Sequence, residues 1–274
     1  MGLLFRSYLD DSEHSATKLY GVGGFVGPVG VWDKLEQQWV AALPAGIKYF
    51  NASTCFVGSE QFTPAKGFDI PKRIELLNVL TDLVCQTDIK LICETIDSPV
   101  YMNFAPAPIE NLFLGNKHAV CFEAAVMSAC RDYMQPSGTP HPVDTGDACD
   151  IFYEASEYSD SVQRKLRNLR EDESLWWRSR IGKATPGTKT GHCAIPLLQV
   201  ADLGVFLGTK RIADAPDGKI PWRPHWDKLE RAGKVWSRGK INRSSLGLLW
   251  ALFNTQRHPE VLDEVWDSDK SENH

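Results

Sequence analysis

The stretch FRSYLDDSEHS, residues 5–15, sets the reading of the whole chain. Leu3 to Leu9 reads as a first β-strand and Leu19 to Val26 as a second, with an Asp-, Ser- and His-rich turn between them. Two adjacent aspartates, Asp10 and Asp11, then fall where the first strand ends. One reading is a polar hairpin turn. The other is the first carboxylate of a metal site whose remaining donors lie far away in sequence. Successive side chains of an extended strand face opposite sides, so both aspartates enter one site only if the strand bends there. On that ground Asp10 is the expected ligand, and Asp11 a neighbouring acid or turn residue.

Outward from this hairpin, strands alternate with helices. Trp32 to Leu43 has helical periodicity and stops at Pro44 and Gly46. Ile47 to Ala52 reads as a third strand, Pro71 opens a helix to about Gln86, and Lys90 to Ile96 reads as a fourth strand. A longer helix is expected from about Ile109 to Tyr133, ended by the Pro- and Gly-rich QPSGTPHPVDTGD. CDIFYEA, residues 149–155, fits a buried strand. DSVQRKLRNLR, residues 160–170, is a basic helix, and Ile195 to Arg211 is an apolar one. The order implies an α/β domain with a mixed sheet. The glycines at 21, 23 and 24 do not make the G-x-G-x-x-G that opens a dinucleotide-binding helix, so they mark a bulge or a close backbone approach.

With 274 residues, 43% hydrophobic and 24% charged, the chain can bury a substantial core. A net charge of -5 argues against a wholly basic nucleic-acid coat but leaves room for a local basic groove. The seven cysteines are odd in number, scattered and without C-x-x-C pairs, which fits reduced thiols of a cytoplasmic protein better than a zinc ribbon. No stretch reaches the roughly 18 to 20 apolar residues of a membrane span, so no membrane partner is expected.

Asp202 is the second anomaly. In IPLLQVADLGVFLG, residues 195–208, it stands among Leu198, Val200, Ala201, Leu203, Val205 and Phe206. A helix apolar nearly all round packs on the sheet, and a carboxylate there is costly unless it is paired, hydrogen-bonded or bound to a cation. Gln199 shares its helical face. Glu154 ends the strand CDIFYE. Carboxylates at strand ends, facing one on a packed helix, suit Mg²⁺ or Mn²⁺, hard ions that prefer oxygen donors.

Three motifs resemble the domain of unknown function 3800 family. YLDDS, residues 8–12, is similar to its hydrophobic-Asp-Glu-Ser motif, with Asp11 where Glu is usual. IFYEAS carries Glu154 where Asp is more common, and QVADL, residues 199–203, matches the family's Gln-x-Ala-Asp-Leu. YFNAS, residues 49–53, resembles the Phe-His-Ala-Thr segment, with Asn51 for His. The resemblance covers roughly residues 5 to 211. It implies a ribonuclease H-like mixed sheet flanked by helices for the core, 1–211, and the remainder, 212–274, reads as a basic and aromatic C-terminal helical extension packed on it. The resemblance further implies a metal-dependent nuclease site with Asp10, Glu154 and Asp202 as ligands of Mg²⁺ or Mn²⁺, Asp11 as a ligand or neighbouring acid, and Gln199 as an orienting group. Glu94, in KLICETI, is the alternate to Glu154.

Substrate readings come from the basic segments. Arg164, Lys165, Arg167, Arg170, Arg178, Arg180, Lys183 and Lys189 surround Trp176 and Trp177, and Lys210 to Arg243 adds ten basic residues with Trp222, Trp226 and Trp236 interleaved. Basic groups neutralise phosphates and exposed indoles stack on unpaired bases, which makes DNA or RNA the expected partner. The opposing reading makes these tryptophans core residues and the charges a solvated face. Lys189 and His192, in the glycine-rich loop GKATPGTKTGH, are candidates to orient a water or a phosphate. The expectation is a divalent-metal-dependent phosphodiesterase acting on nucleic acid. Its alternative is a catalytically silent nucleic-acid-binding or scaffold protein with the same fold.

Overall fold

The computed structural model describes residues 3–104, 116–134, 146–191, 194–241 and 246. Six strands, β1 (Leu4–His14), β2 (Leu19–Pro28), β3 (Lys90–Asp97), β4 (Ala148–Glu154), β5 (Ile181–Gly187) and β6 (Val235–Ile241), form one mixed sheet in the order β5-β4-β1-β2-β3-β6. β2 runs antiparallel to β1 and β3, while the pairs β1–β4, β4–β5 and β3–β6 are parallel. Helices α1 (Val29–Ala42), α2 (Ala52–Val57), α3 (Ile70–Gln86), α4 (Ser98–Phe104), α5 (Lys117–Met127), α6 (Ser159–Glu171), α7 (Leu198–Ile212) and α8 (Arg223–Arg231) connect or cover the strands. The chain is therefore α/β, with a six-stranded mixed sheet flanked by helices.

The period-two alternation of the strands divides the core. Tyr8, Phe25 and Leu91 face one side and pack with Trp32, Trp39, Leu77, Leu203 and Trp226 from α1, α3, α7 and α8. Leu9, Tyr20, Val22 and Ile92 face the other and pack with Phe122, Val126, Leu166 and Trp177 around α5 and α6. Helix α7 is buried almost end to end because it lies directly on the central strands. Two glycines show how close it comes. A Cβ on Gly24 would sit 2.9 Å from the Cβ of Ala201, and one on Gly208 would sit 2.6 Å from Cys93 Sγ. Asp202 reaches the sheet because both surfaces are stripped of side chains there.

Several expectations need correction. β1 does not end at Leu9 but continues through Asp10 and Asp11 to His14, because β2 goes on pairing with it, Asp10 opposite Gly23 and Asp11 opposite Val22. Residues 47–51 form no strand. Their amides are consumed by side chains instead: Phe50 N–H donates to Gln199 Oε1 at 2.8 Å and Ala52 N–H to Asp202 Oδ2 at 2.5 Å, leaving no ladder to join. Within the expected 109–133 helix, α5 begins at Lys117, where the Asn116 side chain accepts from Ala119 N–H, and it passes into a π-helical stretch over Ser128–Tyr133. Residues 109–115 lie outside the described residues. The segment after 211 holds a strand as well as a helix, and that strand, β6, joins the sheet beside β3. Ile220, Trp222, Trp226 and Leu229 of the same segment are buried against α2, α3 and α7. No helix among the described residues is long and apolar enough to cross a membrane.

Candidate functional site

β1, β4 and β5 run parallel, and their carboxyl ends meet at one rim of the sheet. The β1–β4 pairing stops at Leu9 opposite Tyr153, so Asp10 and Glu154 are the next residues on neighbouring strands. Both share the alternation of Tyr8 and Phe152 and so face α7, which supplies Asp202. Lys189 enters from the loop after β5, just beyond Gly187. Its Nζ lies 2.6 Å from Asp10 Oδ2, 3.1 Å from Glu154 Oε2 and 3.3 Å from Asp202 Oδ1. Three carboxylates 48 to 192 residues apart in the chain thus surround one ammonium.

Asp11 also comes close. Carboxylate oxygens of Asp10, Asp11 and Glu154 lie within 4.8 Å of one another, although Asp11 shares the opposite strand face with Leu9. It can do so because β4 has ended, so no strand separates the two faces on that side of β1, although β2 still pairs on the other. Asp202 is outside that 4.8 Å group and is joined to it through Lys189.

Burial dominates the electrostatics. Asp10 is fully enclosed, and burial pushes its carboxyl well above the usual range against the pull of Lys189. Burial also raises Asp202, opposed by Lys189 and the Ala52 amide. Glu154 resists its partial burial and is held below its usual value by the neighbouring Asp10 carboxyl and the Lys189 ammonium. Lys189 is buried as well, yet Asp202, Asp10 and Glu154 outweigh that and hold it charged. Asp10 Oδ1 accepts from the Asp11 amide at 2.8 Å, whereas Oδ2 has only the ion pair, without the alignment of a hydrogen bond. A donor set made wholly of carboxylate oxygens, one of them lacking any hydrogen bond, fits a hard divalent ion such as Mg²⁺ or Mn²⁺. Asp10, Glu154 and Asp202, with Asp11 beside them, are the residues that would hold it.

Gln199 organises the surroundings. Its Oε1 accepts from Trp39 Nε1 at 3.2 Å and from Phe50 N–H, and its amide donates to the Lys189 carbonyl at 3.3 Å. Asn51, which stands where the resemblance has His, caps α2 by accepting from Thr54 N–H at 3.0 Å and is not drawn into the acids. Beside Lys189 opens a groove of about 540 Å³ walled by Leu43, Ile47, Lys48, Thr190 and Gln199. His192 lies outside the described residues.

The remaining candidates separate from this rim. Glu94 is across Val22 from Asp11, and its carboxylate accepts from Ser128 Oγ at 2.9 Å and Ser237 Oγ at 2.5 Å. Trp177, Trp222 and Trp226 are core residues, and only Trp176 and Trp236 of the basic segments are exposed. Those two flank β5 and β6, the opposite edges of the sheet, and each precedes or begins its strand, away from the acids. They cannot line one groove through the site. Arg180 is buried against Trp176 and donates to the Cys130 carbonyl, while Arg164 and Arg167 stay exposed on α6. Sequence reasoning missed Tyr20 and His118, which contact each other behind Asp11. Searches against family models, curated proteins and solved structures find no match for this chain.

Proposed function

We propose that the chain is a divalent-metal-dependent phosphodiesterase acting on nucleic acid, with a ribonuclease H-like core of the kind its three motifs resemble. One observation carries this reading: Asp10, Glu154 and Asp202, from two strands and a helix, converge on a single cation position. Two buried carboxylates and a half-buried one facing one ammonium leave negative charge in excess, which a divalent ion offsets and a well-packed apolar cluster would not require. When bound, such an ion supplies a Lewis acid and an activated water for phosphodiester hydrolysis. In that reaction the water oxygen forms a new bond to phosphorus and one bridging P–O bond breaks, giving a phosphomonoester and an alcohol. Asp10, Glu154 and Asp202 hold the ion. Gln199 fixes the Lys189 loop and the 50–52 segment around them. With an ion on the three carboxylates, the Lys189 ammonium would be available to a phosphate oxygen, and Lys48 in the adjoining groove extends the positive wall.

A second reading is favoured by Lys189 itself, which already supplies a cation to the three acids. On that reading the cluster is a structural ion network in a silent nucleic-acid-binding or scaffold protein. Calorimetry with Mn²⁺ and hydrolysis of labelled DNA and RNA oligonucleotides separate the two. The nuclease reading expects Mn²⁺ binding and cleavage by the wild type, with both lost in Asp10→Asn and Asp202→Asn while the fold is kept. Full cleavage by either variant sinks it, and wild type that binds nucleic acid but no Mn²⁺ supports the silent protein.

A further inference from the structure

Asp11 is held by a chain of contacts that the metal site alone does not account for. It lies opposite Val22 in the β1–β2 ladder, and Tyr20 is its diagonal neighbour on the same face. The Tyr20 hydroxyl faces the Asp11 carboxylate across that diagonal, where burial and the Asp11 charge both push its pKa up, and it lies 2.5 Å from Nδ1 of His118, the second residue of α5. Tyr20 and His118 are both buried. The imidazole stacks on Tyr158 at 4.9 Å and on Phe122 at 6.2 Å, and the Lys117 ammonium sits 4.7 Å over the Tyr20 ring. Neither ring can turn away from Asp11 without breaking these contacts.

Proton counting gives the chain a direction. Burial drops His118 to about 4, so the ring is neutral at physiological pH and carries one N–H. A phenol has one proton to donate, and a carboxylate can only accept. With His118 Nδ1–H donating to Tyr20 Oη, the Tyr20 O–H is left to donate toward Asp11. Asp11 is then fixed in rotamer, with its remaining lone pairs free to face Asp10 and Glu154.

We propose that Tyr20 and His118 are positioning residues that hold Asp11 as a fourth carboxylate of the cation site. The assignment rests on the metal-site reading above. Outer partners of ligating carboxylates and imidazoles typically tune metal affinity by about 10- to 100-fold. A plain structural tie between β2 and α5 would leave that affinity unchanged.

The test uses the full chain. Nitrogen-15 NMR of its histidine rings without metal, with the His118 signal assigned by its loss in His118→Leu, is expected to show the Nδ1–H tautomer. An Nε2–H tautomer reverses the chain and overturns the assignment. Mn²⁺ titration is expected to weaken by about tenfold in Tyr20→Phe and in His118→Leu. His118→Asn, whose amide places a donor near the former Nδ1, should recover most of the loss and also guards against misfolding of the leucine variant. Asp11→Asn combined with Tyr20→Phe should bind no more weakly than Asp11→Asn alone. Wild-type affinity in Tyr20→Phe, or additive losses in the double variant, overturns the assignment and leaves the metal site standing. A wild type that binds no Mn²⁺ removes the metal-site reading itself, and this assignment with it.

Discussion

Lys189→Met probes the site most directly, because it keeps the aliphatic stem and removes the ammonium from Asp10, Glu154 and Asp202. The native group is nearly enclosed, with 9% of its side chain exposed and contacts of 2.6–3.3 Å. Removing one partner of a buried ion pair costs about 3–5 kcal/mol. The Glu154 carboxylate is partly open to solvent, which screens the charge left behind, so the lower end, about 3 kcal/mol, is expected near pH 8. For a chain of this size roughly 1 kcal/mol moves Tm by 2–4 °C, which gives a fall of about 6–12 °C. The sign with pH follows from linkage. Without Lys189 the Asp10 and Asp202 carboxyls, already raised by burial, titrate still further above their unfolded values, so stability is lost as pH rises through that interval and the variant suffers less at pH 5 than at pH 8. Mn²⁺ should reverse the defect, returning about 2.7 kcal/mol at 100 times its Kd. It should also bind the variant more tightly than the wild type, because no ammonium has to leave. Thermal unfolding at both pH values, with and without Mn²⁺, reads all of this. An unchanged Tm in the metal-free variant refutes the charge argument. Greater stabilisation of the wild type than of the variant by Mn²⁺ refutes competition between Lys189 and the ion.

Three further expectations follow from the same geometry. Gly208→Val puts branched carbons where even a Cβ meets Cys93 Sγ at 2.6 Å, so α7 must lift off the sheet. A loss of about 1–3 kcal/mol is expected in urea unfolding, together with weakened Mn²⁺ binding through displaced Asp202, and native stability would contradict the packing. His118 and His225, both buried and lowered to about 4 by burial, stay neutral in the fold while the unfolded chain takes up protons near 6.5. Stability is therefore full above about pH 7 and falls as pH drops toward 4, by about 2 kcal/mol per histidine at pH 5. His225→Gln should flatten that slope, and an identical slope in the variant would refute its part in it. Arg164→Glu with Arg167→Glu reverses the exposed basic face of α6. If that face holds single-stranded phosphates, the slope of log affinity against log salt should fall by about 1.4, and unchanged anisotropy titrations would remove α6 from the binding surface.

What was legible in the sequence was whatever carried a local contradiction. An aspartate in an apolar helix is costly wherever the helix packs, so Asp202 declared itself without any knowledge of its partners. Glu154 and Asp10 stood at the ends of apolar runs. The strands β5 and β6 were hidden by their composition. IGKATPG contains two glycines and a proline, which an edge strand tolerates and a central one does not, and VWSRGKI alternates so strongly with charge that it resembled a basic surface segment. Ile47 to Ala52 failed in the opposite way: its composition suits a strand, but a strand needs a ladder, and Gln199 and Asp202 had already taken its amides.

The acid pair at Asp10 and Asp11 shows why alternation alone was insufficient. The rule that adjacent strand residues face opposite sides holds here, since Asp10 shares a face with Tyr8 and Asp11 with Leu9. It separates the two side chains fully only where strands continue on both sides, and here β2 goes on while β4 does not. β4 stops at Glu154, level with Asp10, so beyond that point both carboxylates lean over the same open rim. The site's composition is thus set by the length of β4. Extending β4 by two residues in the style of its own alternation would wall Asp11 off from Asp10 and Glu154 without changing a single acid. Where a strand ends decides which charges meet.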